Sequence, residues 1–262
     1  NPPPTSLVAQ WVEPYSMAIG LHAHAVAQDA DATEVYRALY GSLAGEWVDR
    51  GFFEHRVYVV PGDRATEEAW VNLGFGRRLV CAMRPTSQPV LNVPAGHGIQ
   101  VHQAGSEDID LVMHLEHVNT VHHFRPPIFW PYLHETMAAA RDYQSSMLAD
   151  ARNGAFIAYR DGRPLGMDTF TPPDWLSPLV LGGPTIYLFQ GVVEEEARGG
   201  GVGKVLLDHA MRWAREQQHE WCALHFASAN PSGAPFWLSQ GFVPVEYTMG
   251  RRVDDRVAWA RP

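Results

Sequence analysis

The chain has 262 residues, of which 46% are hydrophobic and 19% are charged. This length fits one large domain or two modest ones, and the composition supplies enough apolar residues for packed cores, which excludes general disorder. The formal net charge of -9 argues against a nucleic-acid-binding protein, because phosphate contacts require clustered Lys and Arg. Neutral or cationic partners are expected instead.

The two cysteines indicate a reducing compartment. Cys81 and Cys222 each lie in an apolar run rather than at a short paired spacing, which is typical of reduced core thiols and predicts a cytoplasmic protein. No apolar stretch reaches the roughly 20 residues of a membrane helix, and the N-terminus does not resemble a signal peptide. The sequence begins at Asn1, which is consistent with a truncated or processed start.

The first third of the chain has the pattern of a small α+β unit. Apolar and β-branched periodicities predict elements in the order strand, helix, strand, helix, strand, over residues 17–27, 32–51, 55–60, 65–73 and 77–83. A segment rich in Pro, Gly and Ser follows at residues 85–98. It is interpreted as a linker between a domain at 1–94 and a domain at 95–262.

The remainder predicts a second, longer α+β unit. Its elements are a strand at 99–102, helices at 107–122 and 133–150, strands at 155–160, 164–170 and 185–193, a helix at 204–217, a strand at 222–227, a short helix at 234–239 and a last strand at 242–251. Another Pro/Gly-rich segment occupies 172–184. This order predicts an α+β fold with a mixed, mostly antiparallel sheet flanked by helices, not a double-wound parallel sheet.

The two units share an internal echo. Trp70 is followed by Gly74-Phe75 and Trp237 by Gly241-Phe242 at the same spacing, each time between a short helix and a strand. The repetition suggests two related domains.

A glycine-dense turn lies between the strand at 185–193 and the next helix. Residues 198–204 read Arg-Gly-Gly-Gly-Val-Gly-Lys, and glycines there let backbone N–H groups converge on an anion at the helix N-terminus. A flexible connector is the simpler alternative. A P-loop is excluded because Val205 follows Gly203-Lys204, and the dinucleotide spacing fails because Lys204 stands where the third glycine is needed.

This turn resembles the signature of the GNAT superfamily of acetyl-CoA-dependent N-acetyltransferases, Arg/Gln-x-x-Gly-x-Gly/Ala, here as Arg198, Gly201 and Gly203 with the family's upstream valine at Val193. The family's later segment, an Asn before a short helix that ends in Gly-Phe, corresponds to residues 230–242. The two motifs are in register over residues 99–253. The resemblance implies a complete GNAT fold for 95–262, preceded by a partial, degenerate GNAT-like domain at 1–94.

The resemblance also implies the donor site. Amides of the turn would hold the CoA pyrophosphate, the backbone of β-strand residues would pair with the pantetheine, and an Asn and a Trp would contact the CoA arm; these residues are Val192, Val193, Arg198, Gly199, Gly200, Gly201, Val202, Gly203, Lys204, Asn230 and Trp237. Strands 185–193 and 222–227 would splay to form the slot. An amine would attack the thioester directly while a backbone N–H polarises its carbonyl.

The catalytic groups are less well defined. The tyrosine that protonates the leaving thiolate in many family members is replaced by Trp237, which leaves Ser232, Ser239, Tyr247 or a water as alternatives. Tyr187 and His225 are the candidate bases, against the alternative that each only packs in the sheet. Four aromatic residues, Phe129, Trp130, Trp175 and Phe189, are candidate walls of the acceptor pocket, although aromatic residues at such spacing usually belong to a core.

The histidines between 114 and 134 do not have the ligand spacing of a metal site, so no metal is expected. The N-terminal unit lacks the Arg and glycines of the turn, and Asp29 and Asp31 would repel a pyrophosphate, so that unit is expected to pack against the other one without binding CoA.

We therefore expect an acyltransferase that uses acetyl-CoA and a small amine, as a monomer or homodimer. A CoA-binding sensor without activity and a protein or peptide N-acetyltransferase are the alternatives.

Overall fold

The structure, a computed structural model, describes residues 3, 5–95, 98–174, 176 and 183–259. Its first part contains β1 (Ser16–Ile19), α1 (Ala32–Asp49), β2 (Glu54–Val59), α2 (Arg64–Asn72) and β3 (Gly76–Pro85). Helix α1 begins where the Asp31 carboxylate accepts hydrogen bonds from the backbone N–H groups of Thr33 and Glu34, a typical N-cap. These elements follow the predicted order.

The first strand is shorter than the sequence suggests. It was expected to continue to Ala27 but ends at Ile19. The chain then folds back, because the two ring nitrogens of His24 bond the Tyr36 hydroxyl at 3.0 Å and the Tyr58 carbonyl at 2.8 Å. This histidine is held by a helix and a strand instead of extending the sheet.

The second part contains β4 (Gln100–Gln103), α3 (Ile109–Phe124), α4 (Met137–Ala149), β5 (Gly154–Arg160), β6 (Arg163–Thr171), β7 (Thr185–Val193), α5 (Val202–Glu216), β8 (Trp221–Ala227), α6 (Gly233–Ser239) and β9 (Val243–Arg252). The predicted order of strands and helices is confirmed, and the bounds of β7 are those predicted. The α+β fold with a large mixed sheet is likewise confirmed.

All nine described strands form one sheet, in the order β1-β2-β9-β3-β8-β7-β6-β5-β4. Strand β3 of the first part lies antiparallel between β8 and β9, and β9 in turn lies between β2 and β3. The central strands are thus exchanged between the two parts. Since β1-β2 and β7-β8 are both parallel pairs, the arrangement is palindromic about the β9-β3 pair, which agrees with the Trp-Gly-Phe echo in the sequence.

The sheet has helices on both faces. Helix α5 packs on one face through apolar residues that include Leu206 and Ala210, in a core shared with Phe156 and Leu188. Helices α1 and α2 cover the same face nearer β2, because Tyr247 contacts both cores. Helices α3 and α4 lie on the opposite face over Ile157 and Met167. None of the helices in the described residues combines the length and apolar character needed to cross a membrane.

Candidate active site

The sheet opens between β7 and β8. Their parallel pairing runs from Thr185–Trp221 to Leu188–Leu224, whereas the strands continue to Val193 and Ala227. The two strands therefore separate over their carboxyl-terminal halves. This is the splay that the resemblance implies, and it exposes strand edges inside the fold.

The glycine turn closes one end of this opening. Gly199 and Gly201 have φ angles of +77° and +82°, in the left-handed region that favours glycine. Gly201 is the N-cap of α5 and supplies no side-chain cap, so first-turn amides of the helix are left for an external acceptor. The Arg198 Nε donates to the Val193 carbonyl at 3.1 Å, which ties the turn to the end of β7.

A polar network connects this turn to α3 and to the Asn230 segment. The Arg198 guanidinium donates to His122 Nδ1 at 3.4 Å, and His122 Nε2 lies 3.3 Å from both the Asn230 Oδ1 and the Ser232 Oγ. Because a guanidinium only donates, Nδ1 accepts and the proton of a neutral His122 is on Nε2. Asn230 Oδ1 also accepts a hydrogen bond from the Gly233 backbone N–H at 2.9 Å. The side-chain oxygen of Asn230 therefore stabilises the start of α6.

A cleft of about 1230 Å³ begins at the glycine turn, passes between β7 and β8 and ends over β2 and β9. Its described walls include every residue that was predicted for the donor site except Gly200, and they also contain groups from the first part of the chain, Arg56, Tyr58 and Arg78. Trp237 reaches the floor of the cleft at Gly191, where an added Cβ would lie 2.9 Å from the indole. The close approach therefore requires a glycine at this position of β7.

Residues 118–242 match the model of the Acetyltransferase (GNAT) family. The chain contains a GNAT domain. No curated protein sequence matches the chain significantly.

Solved structures agree with this fold. A conserved protein of unknown function from Staphylococcus epidermidis is 14% identical, with 85% of this chain and 81% of that chain covered and a TM-score of 0.55. A tandem GNAT protein from the clavulanic acid biosynthesis pathway is 16% identical, with 90% and 75% covered and a TM-score of 0.50. A GCN5-related N-acetyltransferase from Sphaerobacter thermophilus is 13% identical, with 84% and 68% covered and a TM-score of 0.58. At these identities the likeness shows the fold alone.

Two predicted catalytic residues of the GNAT domain meet in the cleft. The Tyr187 hydroxyl lies 2.9 Å from His225 Nδ1, across the separating strands. Burial raises the pKa of Tyr187 and lowers the pKa of His225 to about 4, so both side chains are neutral at pH 7. His225 is therefore a weak base, and its Nδ1 already forms a hydrogen bond with the Tyr187 hydroxyl.

Tyr247, the third predicted residue, is not in the cleft. It points to the face that carries α1 and α5, where the Arg77 guanidinium lies 3.6 Å from its ring centroid. The side chains of Glu246 and Thr248 line the cleft instead, because neighbouring residues of a strand point to opposite faces. The structure therefore does not support an acid role for Tyr247.

Glu246 was not singled out from the sequence. Its side chain is buried on β9 within the cleft, and burial raises its pKa to about 7. A carboxyl with a pKa near neutral suits proton abstraction. The sequence signal was a glutamate between the apolar Val245 and Tyr247.

Two further buried acids line the cleft. Burial raises the pKa of Asp168 on β6 to about 8, and its Oδ2 has no hydrogen-bond partner in the part of the chain that the structure describes. Burial also raises the pKa of Glu116 on α3, although the Gln144 amide donates to this carboxyl at 2.9 Å. Neither residue was predicted. Among the described residues, no group of three or more His, Cys, Asp or Glu side chains could hold a metal ion.

The predicted pocket aromatics are distributed around the cleft. Phe129 is exposed at its rim and Trp130 stacks on His123 at 5.1 Å between ring centroids. Phe189 contacts the rings of Trp11 and Tyr143. Trp175 lies outside the described residues.

Proposed function

We propose that the chain transfers an acetyl group from acetyl-CoA to the amine of a small molecule. The observation that carries this proposal is the glycine turn at the mouth of the cleft between the separated strands β7 and β8. A turn with accessible helix amides suits a pyrophosphate, and the separated strand edges suit an extended, amide-containing arm.

The donor would lie between the turn and Asn230. Residues 198–204 would hold the pyrophosphate, with Lys204 adding positive charge, and the backbone of Val192 and Val193 would pair with the pantetheine. Burial of Val192 in the core beneath α3 gives this strand a rigid support. Trp237 would form the wall beside the reacting end, since its indole covers Gly191.

The reaction would proceed by direct attack. The neutral amine nitrogen forms a bond to the thioester carbon, the carbon–sulfur bond breaks, and CoA leaves as the thiolate. Glu246 takes a proton from the attacking amine, which balances the charge of the thiolate. A backbone N–H of β7 would polarise the carbonyl, and the neutral Tyr187–His225 pair would order the surrounding polar groups.

The Glu246 base gives a pH dependence. Because its pKa is raised to about 7, the carboxylate is the main form only above pH 7. Acetyl transfer should therefore rise with pH through about 7 and then level until another group titrates.

A small acceptor is favoured by the covered cleft. The N-terminal segment at residues 9–14 lines it from above while β2 and β9 form the floor, which leaves little room for a folded protein. The sensor alternative is supported by Trp237 at the position where the resemblance expects an acidic tyrosine. Buried thiols at Cys81 and Cys222 support a reducing, cytoplasmic location.

Thiol release from acetyl-CoA, measured against a panel of amines, tests the proposal. We expect release with at least one amine and a loss of about 100-fold or more in Glu246→Gln. Glu68→Gln, which changes an exposed glutamate of α2, is the matched control. Donor binding without release for any amine would favour the sensor.

A further inference from the structure

The acceptor end of the cleft is built on the first part of the chain. There β2 and β9 present Arg56, Tyr58, Glu246 and Thr248 to the cleft. The N-terminal segment, defined as residues 5–15, passes over this surface and includes the 3-10 helix Leu7–Gln10. Any acceptor that reaches Glu246 therefore also meets the side chains of β2.

Two arginines on this surface share one carboxylate. Arg78 forms an ion pair with Glu13 of the N-terminal segment at 2.7 Å, and the Arg56 guanidinium lies against the same carboxylate. Only 11% of the Arg56 side chain is exposed, and Arg78 has a second partner in Glu54. The two guanidiniums that surround the Glu13 carboxylate could bind the carboxylate of a ligand with the same geometry.

The carboxylate that fills this site belongs to a weakly packed element. The 3-10 helix of the N-terminal segment has no buried residue. Its described attachments to the C-terminal part include a hydrogen bond from Gln10 to Thr136 and an edge contact of Trp11 with Phe189 at 5.7 Å. Arg56 and Arg78, in contrast, lie on β2 and β3, each of which is paired with a strand on both sides. Removal of Glu13 would leave two guanidiniums against the single carboxylate of Glu54.

The register gives the distance between this arginine pair and the base. Arg56 pairs with Gly250, and Glu246 lies four residues earlier on β9, about 13 Å along an extended strand. Because strand side chains stand roughly perpendicular to the sheet, this backbone spacing exceeds the separation of amine and carboxylate in an α-amino acid. A molecule that bridges both groups must carry a chain of several atoms between them.

We propose that the acceptor is an elongated amine with a carboxylate at its far end, bound by Arg56 and Arg78 in place of Glu13. This inference rests on the proposed function, since Glu246 is where the amine would be deprotonated. In the absence of substrate, Glu13 of the N-terminal segment occupies the arginine site. The carboxylate of the substrate displaces Glu13 when it binds.

Binding of defined probes tests the inference without requiring turnover. Calorimetric titration of 4-aminobutyrate, 6-aminohexanoate, 8-aminooctanoate and hexylamine into the full chain, with and without CoA, compares chain length and charge. We expect one of the two longer amino acids to bind about 10-fold or more tightly than hexylamine. Arg56→Gln should remove this preference, because a hydrogen-bonded charge pair is lost.

Two other variants separate binding from folding. Glu13→Gln, in the N-terminal segment, should tighten binding of the preferred amino acid by about 3-fold because the competing carboxylate is gone. Arg77→Gln is the matched control, since Arg77 precedes Arg78 but pairs with Glu67 and covers Tyr247 on the other face. Its binding should equal that of the wild type.

The outcomes distinguish this inference from the proposed function. Equal binding and equal acetylation of hexylamine and the amino acids would overturn the inference and leave the acetyltransferase intact. Binding that depends on Arg56 without acetylation of any amine would support the carboxylate site and contradict the acetyltransferase. Weaker binding in Glu13→Gln would also overturn the inference.

Discussion

Replacement of Glu246 by Gln should change how the stability of the protein depends on pH. The glutamate titrates at about 7 in the folded chain against an ordinary value of 4.5, because burial disfavours its charged form. Below about pH 4.5 the group is protonated in both the folded and the unfolded state. As pH rises, only the unfolded state releases the proton, so the folded state loses stability until the pH passes about 7.

The size of this loss follows from the two pKa values. At 1.36 kcal/mol per pH unit it reaches about 3 kcal/mol above pH 7. Glutamine has the same shape and no charge, so the variant avoids the loss. The free energy of unfolding of the wild type minus that of Glu246→Gln should therefore fall by about 2–3 kcal/mol from pH 5 to pH 8.

Urea denaturation across this pH range measures the difference, and Glu68→Gln again serves as the exposed control. Groups that the two proteins share cancel in the subtraction. If the difference in the free energy of unfolding between wild type and Glu246→Gln did not change with pH, Glu246 would not be a buried carboxyl with a pKa near 7.

Three other changes have defined consequences. Tyr187→Phe removes the hydrogen bond to His225 and should lower the free energy of unfolding by about 1 kcal/mol in urea denaturation; no loss would mean that the pair is not formed. Trp70→Ala empties a fully buried site between α1 and α2 and should cost about 3–5 kcal/mol, measured in the same way; a cost below 1 kcal/mol would contradict the packing. Gly191→Ala places a methyl group 2.9 Å from the Trp237 ring and should cost about 1–3 kcal/mol and weaken acetyl-CoA binding in calorimetry; unchanged stability and affinity would show that the indole does not cover this position.

Local patterns predicted the elements well. Strand β7 was delimited correctly because its apolar run is bounded by a Pro/Gly segment and by acidic residues, and the glycine turn stood out because few other structures need such a run. The strand at Met17 was overextended, since the fold-back that His24 makes onto α1 and β2 depends on partners far along the chain.

The exchange of β3 and β9 could not be read from the sequence. The echo between Trp70 and Trp237 indicated related units, but which strand a given strand pairs with is a long-range choice. The division into domains at residues 94 and 95 stays a prediction. The structure shows that both parts contribute strands to one continuous sheet, in which β3 lies between β9 and β8.

The geometry of the glycine turn was easier to predict than the positions of catalytic side chains. Backbone groups and glycines define the turn locally, whereas a catalytic side chain depends on which face of a strand enters the cleft. The sequence pointed to Tyr247, whereas the base that we propose is its neighbour Glu246, which faces the cleft. Arg56, which lines the cleft, was not singled out because it belongs to the unit that was expected only to pack.

Calorimetric titration of acetyl-CoA into the wild type, Gly199→Asp and Gly162→Asp tests the central claim most directly. Both glycines have positive φ and nothing within 4 Å of an added Cβ, but only Gly199 lines the cleft, whereas Gly162 lies in the β5–β6 turn and controls for backbone strain. We predict that the wild type and Gly162→Asp bind acetyl-CoA, and that Gly199→Asp, which brings a carboxylate to the glycine turn, does not. Equal binding by all three proteins, or no binding by the wild type, would contradict a donor site at the glycine turn.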